Sequence, residues 1–156
     1  MLRSSFRNSL SAMLLAGGLL PALALSAAPA NAAPAAKDAV CTVLGQAPHL
    51  SKDRTVVHVT GGQSCTEGFV WQEVKVQIQR YKPGRIVGKW ENFGKAEKKH
   101  AAWPKKQITV STKGICQLNK TRVYRLKVSA SFKGLSGKTH RGTDTFAEAK
   151  LKCGKK

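Results

Sequence analysis

The segment VYRLKVSASF, residues 123–132, alternates between apolar and polar side chains over almost its whole length. In an extended strand successive side chains point to opposite sides, so one set would face a core and the other would face solvent. The inward set is Tyr124, Leu126, Val128, Ala130 and Phe132, and the outward set is Val123, Arg125, Lys127, Ser129 and Ser131. A period of two argues against an amphipathic helix, whose apolar positions recur every three or four residues. The segment therefore predicts a half-buried β-strand.

Several other segments show the same alternation or are short runs of β-branched residues. They predict strands at residues 54–60, ending at a Gly61-Gly62 turn, at 73–79, 85–90, 107–112 and 147–153, with a turn at 81–84 and a loop at 134–143. The nearest approach to a helical period is one possible turn over residues 95–102. About six short strands in one domain predict an all-β fold, an antiparallel β-sandwich that is immunoglobulin-like in general architecture. A small β-barrel is the alternative.

Four cysteines, Cys41, Cys65, Cys116 and Cys153, constrain the fold further. An even number in a small exported chain predicts two disulfides, for which three pairings are possible. We predict the sequential pairing, Cys41 with Cys65 and Cys116 with Cys153, because each pair brackets one half of the chain. Each bridge would contribute roughly 3 to 4 kcal/mol on a loop-entropy estimate. No Cys or His spacing matches a zinc finger or ribbon, so we expect no metal site and no cofactor.

The N-terminus has the three parts of a secretory signal. A basic start with Arg3 and Arg7 precedes an apolar run over residues 10–25, and Ala30-Asn31-Ala32 forms a small-residue cleavage sequence. The uninterrupted apolar stretch is shorter than the roughly 18 to 20 residues that span a bilayer. We therefore expect a signal peptide at 1–32 with cleavage near Ala32, a flexible lead-in at 33–40, and one disulfide-bonded β domain at 41–156. The mature protein would be secreted, without integral membrane insertion.

The charge balance is strongly basic. The chain has 27 Lys and Arg against 8 Asp and Glu, a formal net charge of +19, and of the basic residues only Arg3 and Arg7 lie in the predicted signal. Such an excess predicts salt-sensitive attraction to polyanions or acidic surfaces. The alternative is a general solubilising coat, because basic residues occur along the whole mature chain.

The stretch KWENFGKAEKKHAAWPKK, residues 89–106, combines lysines with aromatic side chains. We interpret it as a long connection between a strand that ends near Trp90 and one that starts near Gln107, and loops of that length are usually functional or disordered. The candidate binding residues are Lys95, Lys98, Lys99, His100, Trp103, Lys105 and Lys106, joined by Arg122, Arg125 and Lys127 on the solvated face of a later strand. Trp90 is expected in the core, and Trp103 is the ring expected to contact a partner. Phe69 and Trp71 lie in the opposite phase to the valines after them, which indicates a bulge near Gln72 or an aromatic on the outer face.

Catalytic patterns are weak in this sequence. The four histidines have no recognisable metal or triad spacing, and GLSGKT at 134–139 lacks the first glycine of a phosphate-binding loop because Phe132 stands there. If the chain were an enzyme, the best supported form would be a small hydrolase or cationic nuclease that uses His58 or His140 with a carboxylate such as Glu67. We expect no catalytic residues.

The layout resembles a diffuse group of small secreted actinobacterial proteins. The resemblance rests on the APANA end of the signal, the early first cysteine, the GGQSC segment and the Cys116…Val123-Tyr124-Arg125…Cys153 hairpin. It implies a two-disulfide β-sandwich, and most of the group has no assigned activity. Some proteins of similar layout are similar to the adaptor subunits of umbrella-shaped antibacterial toxin particles.

The functional expectation is a secreted, non-enzymatic, cationic interaction domain. Its partner would be an acidic protein or an anionic surface polymer, with nucleic acid or a cell-wall polymer bound non-specifically. The alternatives are an adaptor subunit of a secreted antibacterial toxin particle, a small secreted hydrolase or nuclease, and a cationic antimicrobial or inhibitor.

Overall fold

Every regular element in the computed structural model, which describes residues 37–154, is a β-strand. The strands are β1 (Cys41–Gly45), β2 (His49–Leu50), β3 (Val56–Cys65), β4 (Phe69–Lys82), β5 (Lys89–Ala102), β6 (Gln107–Ile115), β7 (Thr121–Gly134) and β8 (Thr139–Lys152). The predicted signal peptide and residues 33–36 of the lead-in lie outside the described residues. No helix in the described part of the chain is long and apolar enough to cross a membrane.

The strands form two antiparallel sheets. In sheet I, β3 pairs with β1 and β2 along one edge and with β6 along the other. In sheet II the order is β5-β4-β7-β8. The two sheets pack face to face without closing into a barrel, so the predicted β-sandwich is confirmed.

The core lies between β3 of sheet I and the central strands of sheet II. Its fully buried members are Val57 and Val59 from β3, Val74, Val76 and Ile78 from β4, and Leu126 and Val128 from β7. Burying a side chain of this kind contributes roughly 1.5 to 3 kcal/mol. The alternation read from residues 123–132 is therefore confirmed as the inward and outward phases of β7.

The Gly61-Gly62 pair lies inside β3, so the predicted turn at this position is wrong. A Cβ at Gly61 would lie 2.6 Å from Cγ2 of Val128 and 3.1 Å from Cγ2 of Val76. The glycine lets the two sheets approach closely where β3 crosses the β4–β7 pair. Two adjacent glycines in a sequence favour a turn. Close packing against a distant strand, which is the actual role of Gly61, leaves no pattern in the neighbouring residues.

Both predicted disulfides are confirmed, and they join different parts of the fold. Cys41–Cys65 links residues that stand opposite each other on β1 and β3 within sheet I. Cys116–Cys153 links the residue after β6, in sheet I, to the residue after β8, in sheet II. One bridge therefore fixes an edge of a sheet, and the other crosslinks the two sheets.

The start of the described chain is docked on the sandwich, which corrects the prediction of a flexible lead-in for its last residues. The amide of Ala39 donates to the carbonyl of Gly68 at 3.1 Å, and the amide of Val40 donates to Oγ1 of Thr66 at 2.9 Å. Ala39 is buried against Cys65 and Phe69. The alanine-rich composition of residues 33–40 gives no period that would indicate this docking, because most of the bonds are made by the backbone and by one side chain, Asp38.

Two strands extend further than their sequences predicted. β5 runs from Lys89 to Ala102, so the predicted long connection and helical turn are wrong, and only residues 103–106 link β5 to β6. A register shift between Val76 and Ile78, opposite residues 94–96 of β5, breaks the alternation that would have identified this strand. Lysines are also typical of edge strands, where they discourage pairing with other chains. β8 likewise begins at Thr139, inside the predicted 134–143 loop.

Replacing Gly61 with alanine should lower the free energy of unfolding by roughly 1 to 3 kcal/mol, because the added methyl overpacks the contact with Val128. The matched control is Ser64→Ala on the outward side of the same strand, which should change stability by less than about 0.5 kcal/mol. Urea unfolding with intact disulfides measures both. Equal stability of Gly61→Ala and wild type would contradict the close approach of the sheets at this position.

Candidate anion-binding face

The outward side of sheet II carries a field of cations. Because Val74 and Val76 of β4 and Leu126 and Val128 of β7 point inward, the residues between them point out, and pairing extends the same side to β5 and β8. We call this surface the basic face, and its Lys and Arg residues are Lys75, Lys98, Arg125, Lys127, Lys133, Arg141, Lys150 and Lys152. Four strands therefore present cations on one continuous surface.

The outward side of sheet I has a different composition. Its strands present mainly hydroxyl and small side chains, among them Thr42, Thr60, Ser64, Thr109 and Ser111. Among the described strands of sheet I, the Lys or Arg residue on this outward side is Lys113, which lies near His49 and His58. A solubilising coat would be spread over both sides. The positive charge is instead concentrated on sheet II.

Cations on the basic face are placed where they repel one another. Lys75 stands directly opposite Lys98 in the β4–β5 pairing, and like charges in this relation are destabilising. A carboxylate oxygen of Glu73 lies 3.2 Å from Nζ of Lys98 and offsets part of that repulsion. On the other side of Lys75 lies Ser129, whose hydroxyl is 3.1 Å from that of Thr143. The centre of the face thus combines cations with hydroxyl groups, which suits anionic oxygen ligands.

Aromatic side chains lie at both ends of the basic face. The guanidinium carbon of Arg125 is 4.1 Å from the ring centroid of Trp90, and Tyr81 meets Trp90 edge to face at 5.4 Å. Trp90 is thus a half-buried residue of the outer surface, and its predicted place in the core is wrong. At the opposite end the rings of Trp71 and His100 are 5.4 Å apart. A register shift between Phe69 and Trp71 separates an inward Phe69 from an outward Trp71, so the outer aromatic is Trp71, and the outward phase predicted for Phe69 is wrong.

The Trp103 turn, residues 103–106, is held firmly beside Trp71. The amide of Trp103 donates to the carbonyl of Val70 at 3.0 Å, and its ring packs edge-on against Phe69 at 5.4 Å. Nζ of Lys106 lies 5.7 Å from the Trp103 ring centroid and 2.7 Å from a carboxylate oxygen of Glu67. The hydrogen bond from Lys106 lowers the pKa of Glu67. Trp103 remains 45% exposed, so the turn presents a fixed, half-open ring.

The candidate binding residues fall into several groups in space. Lys98, His100, Arg125 and Lys127 lie on the basic face, while Trp103, Lys105 and Lys106 form the adjoining turn. Lys95 and Lys99 line a groove of about 680 Å³ between β5 and β6. Arg122 does not share a face with Arg125, because it has the inward phase of Tyr124 and lines a separate pocket of about 320 Å³ near Arg80. The predicted field over Arg122, Arg125 and Lys127 is corrected accordingly.

Sequence analysis missed several residues of the basic face. Lys75, Lys133, Arg141, Lys150 and Trp71 were not among the candidates. The phase of Lys75 relative to Val74 and Val76 was readable from the sequence and could have placed it beside Lys127. Arg141 and Lys133 are harder to predict from the sequence, because residue 141 falls in the predicted 134–143 loop and the sequence does not show that β7 pairs with β8.

The histidines of the catalytic alternative have separate partners. Nε2 of His140 lies 3.0 Å from Oδ2 of Asp38, and the ring stacks on Phe132 with centroids 4.7 Å apart. Asp38 also accepts bonds from the amide and hydroxyl of Ser136, at 2.8 and 2.6 Å. In a Ser-His-Asp triad the histidine stands between the other two, whereas here the carboxylate does. This arrangement anchors the chain start.

The other residues of that alternative are engaged elsewhere. His58 lies on the outward side of sheet I, with its ring centroid 5.9 Å from that of His49, and Glu67 pairs with Lys106. Within residues 37–154 no group of three or more His, Cys, Asp or Glu side chains is arranged to hold a metal ion. Comparison with protein-family models, with curated proteins and with solved structures found no match for the chain.

The Asp38 carboxylate should make stability sensitive to acid. Hydrogen bonds from Ser136, and then from His140, lower the pKa of Asp38 from 3.8 to about 2. A carboxyl whose pKa is lower in the folded state stabilises the fold above its unfolded pKa and loses that effect as the pH falls through the folded value. Asp38→Asn should therefore be less stable than wild type at neutral pH, and the difference should shrink between about pH 4 and pH 2. Thermal unfolding across this range measures it.

Two further comparisons of stability attribute the pH dependence to the Asp38 carboxylate. Asp53, whose pKa is also lowered to about 2 by Ser51 and Thr55, is present in both proteins, so their difference reports on Asp38. Ser136→Ala removes the hydroxyl donor but keeps the amide donor, and should give an intermediate effect. A stability difference between Asp38→Asn and wild type that is constant with pH would contradict the role of the charged carboxylate.

Proposed function

We propose that this chain is a secreted, non-enzymatic interaction domain that binds an anionic partner through the basic face. The observation that carries the proposal is the segregation of cations onto the outward side of sheet II, against a largely uncharged outward side of sheet I. Attraction to a polyanion requires a dense positive field and little shape complementarity. An extended anionic surface polymer is therefore the partner that the face fits best.

Repulsion within the face supports this proposal. Lys75 and Lys98 stand opposite each other across two strands. The carboxylate of Glu73, on the side toward Trp71, pairs with Lys98 and offsets only part of this repulsion. Binding an anion would relieve this repulsion, so the unliganded face is less favourable than the occupied one. Hydroxyl groups such as that of Ser129 add hydrogen-bond donors for anionic oxygens.

Secretion is part of the proposal and rests on two features. The two disulfides are typical of proteins in oxidising compartments outside the reducing cytosol. The first 32 residues have the composition of a cleaved signal. An anionic polymer at a cell surface would meet the domain in that compartment.

An acidic protein is the second candidate partner, and the Trp103 turn favours it. A half-exposed tryptophan fixed by Phe69 and bordered by Lys105 and Lys106 resembles the anchors that dominate protein interfaces. Polymer binding should decrease progressively with salt and need no ring. Protein binding should survive moderate salt and be lost in Trp103→Ala.

The test compares two variants of equal charge. Lys75→Gln, Lys127→Gln and Arg141→Gln together form the face variant, and Lys52→Gln, Lys113→Gln and Lys138→Gln together form the control with the same loss of charge elsewhere. With single-stranded DNA as a model polyanion, the slope of log K against log salt should become shallower by about 2 in the face variant, at roughly 0.7 per lost contact. The control should keep nearly the wild-type slope. Fluorescence anisotropy at several salt concentrations gives both slopes.

Equal slopes for the face variant and the control would show that total charge alone attracts the polyanion, and the proposal would fail. If a protein captured from culture supernatant stays bound at moderate salt and requires Trp103, the partner is an acidic protein and not a polymer. Unfolding midpoints of all variants must match the wild type, since Trp103 also covers Phe69.

A further inference from the structure

The hairpin tip, residues 82–89, carries two adjacent, highly exposed aliphatic side chains, one of which is the most exposed of the described chain. Ile86 is 97% exposed and Val87 is 80% exposed, at the far end of the β4–β5 hairpin. Neither is required by the fold, since neither contacts the core clusters. Two adjacent aliphatic residues held fully in water are a feature of surfaces that insert into an apolar environment.

The backbone holds this tip in a defined shape. Gly84 packs against the carbonyl of Val87, and Gly88 packs against the phenol of Tyr81, and neither site leaves room for a Cβ. The tip is therefore a closed turn that projects its aliphatic pair beyond the last strand pair, Lys82 with Lys89.

Cations surround the aliphatic pair. Lys82, Arg85 and Lys89 flank it, and the sequence from Tyr81 to Trp90 contains no acidic residue. The next carboxylate along β5, that of Glu91, is bound by Arg80. The tip thus presents an apolar end with a collar of positive charge, and the nearby carboxylate, that of Glu91, is bonded to Arg80 and also interacts with Lys82 and Lys89.

Aromatic residues follow one step behind the collar. Tyr81 and Trp90 are paired across the strands, with ring centroids 5.4 Å apart. Moving from the tip into the domain, the order is aliphatic, cationic and then Tyr with Trp. This arrangement suits a bilayer surface, where the anionic headgroups and the interfacial zone preferred by Trp and Tyr lie at the same level, just outside the hydrocarbon.

We propose that the hairpin tip docks this domain on an anionic lipid bilayer. Ile86 and Val87 enter the boundary between headgroups and acyl chains, Lys82, Arg85 and Lys89 contact headgroup phosphates, and the Tyr81–Trp90 pair lies at the headgroup level. From Lys82 to the tip the chain reaches at most about 10 to 13 Å, so insertion is shallow and does not span the bilayer.

A lipid surface fits this tip better than a protein does. A specific protein interface typically buries about 800 Å² on each partner, which two side chains on a narrow turn do not supply. A bilayer needs only a small apolar wedge combined with electrostatic attraction, and stable peripheral binding usually takes both signals. The tip provides both within eight residues, 82–89.

The test is co-sedimentation of the full mature chain with vesicles of phosphatidylcholine, with and without phosphatidylglycerol, at physiological ionic strength. Wild type should bind the anionic vesicles and not the neutral ones. The double variant Ile86→Ser and Val87→Ser should partition at least about tenfold more weakly, and Arg85→Gln about fivefold more weakly. All three positions are exposed, so these variants should unfold at the wild-type temperature.

Matched controls lie at the opposite end of the sandwich. Leu135→Ser removes an aliphatic side chain that is 54% exposed in the β7–β8 turn, and Lys138→Gln removes a cation from the same turn. Both should bind vesicles like wild type. Single-stranded DNA binding by the hairpin variants separates this proposal from the basic face: loss of vesicle binding with DNA binding retained supports an independent lipid site.

Three outcomes would overturn the proposal. They are absence of wild-type binding to anionic vesicles, binding by the Ile86→Ser, Val87→Ser variant equal to wild type, and loss of vesicle binding in the face variant alone. If the tip variant kept vesicle binding but lost a protein captured from supernatant, the tip would be a protein contact.

Discussion

The close contact between β3 and the β4–β7 pair, made possible by Gly61, determines the rest of this structure. The contact requires Val74, Val76, Leu126 and Val128 to point inward. In a strand the side-chain period is two, so fixing the inward residues also fixes the outward ones, and a slip of one residue would exchange the sets. The basic face is thus specified by the core: Lys75 and Lys127 are outward because their neighbours are buried. A surface built in this way needs no loop to position it.

The placement of the crosslinks is consistent with a sandwich that carries an unbalanced charge. Repulsion among cations on one side of sheet II opposes folding, and the core contributed by a domain of this size is modest. Cys116–Cys153 joins the two sheets at the end where β6 and β8 finish, and it closes a loop of 37 residues. On a loop-entropy estimate that crosslink contributes about 4 kcal/mol, which is comparable to several opposed surface charges. The covalent link therefore helps the fold tolerate a face suited to binding.

The sequence predicted most of what depends on local periodicity and little of what depends on pairing. Alternation identified β7 and the centre of β4, and the spacing of the cysteines gave the correct bridges. Local patterns gave the wrong prediction at Gly61-Gly62, because Gly61 is needed for packing against side chains of β4 and β7. They were also wrong along β5, where a bulge interrupts the period. The prediction also joined Arg122 to Arg125, although residues separated by an odd number of positions on a strand face opposite sides. For the candidate site, charge predicts an anionic partner, and the order β5-β4-β7-β8 shows which cations share a face.

The basic face and the hairpin tip impose different orientations on the domain. β4 has 14 residues and is about 45 Å long, and the tip lies at one end of it. With the tip in a bilayer the strands would stand away from the surface, and the basic face would extend outward, accessible to a polymer beside the membrane. With the basic face flat on the headgroups, the tip would lie parallel to the surface and its aliphatic pair would gain little burial. Tyr81 and Trp90 lie between the hairpin tip and the basic face, and Arg125 covers the Trp90 ring, so occupation of one proposed site would change the surroundings of the other. Shallow anchoring at the tip and polymer binding along the sheet are therefore compatible in the upright orientation, and flat adsorption competes with both.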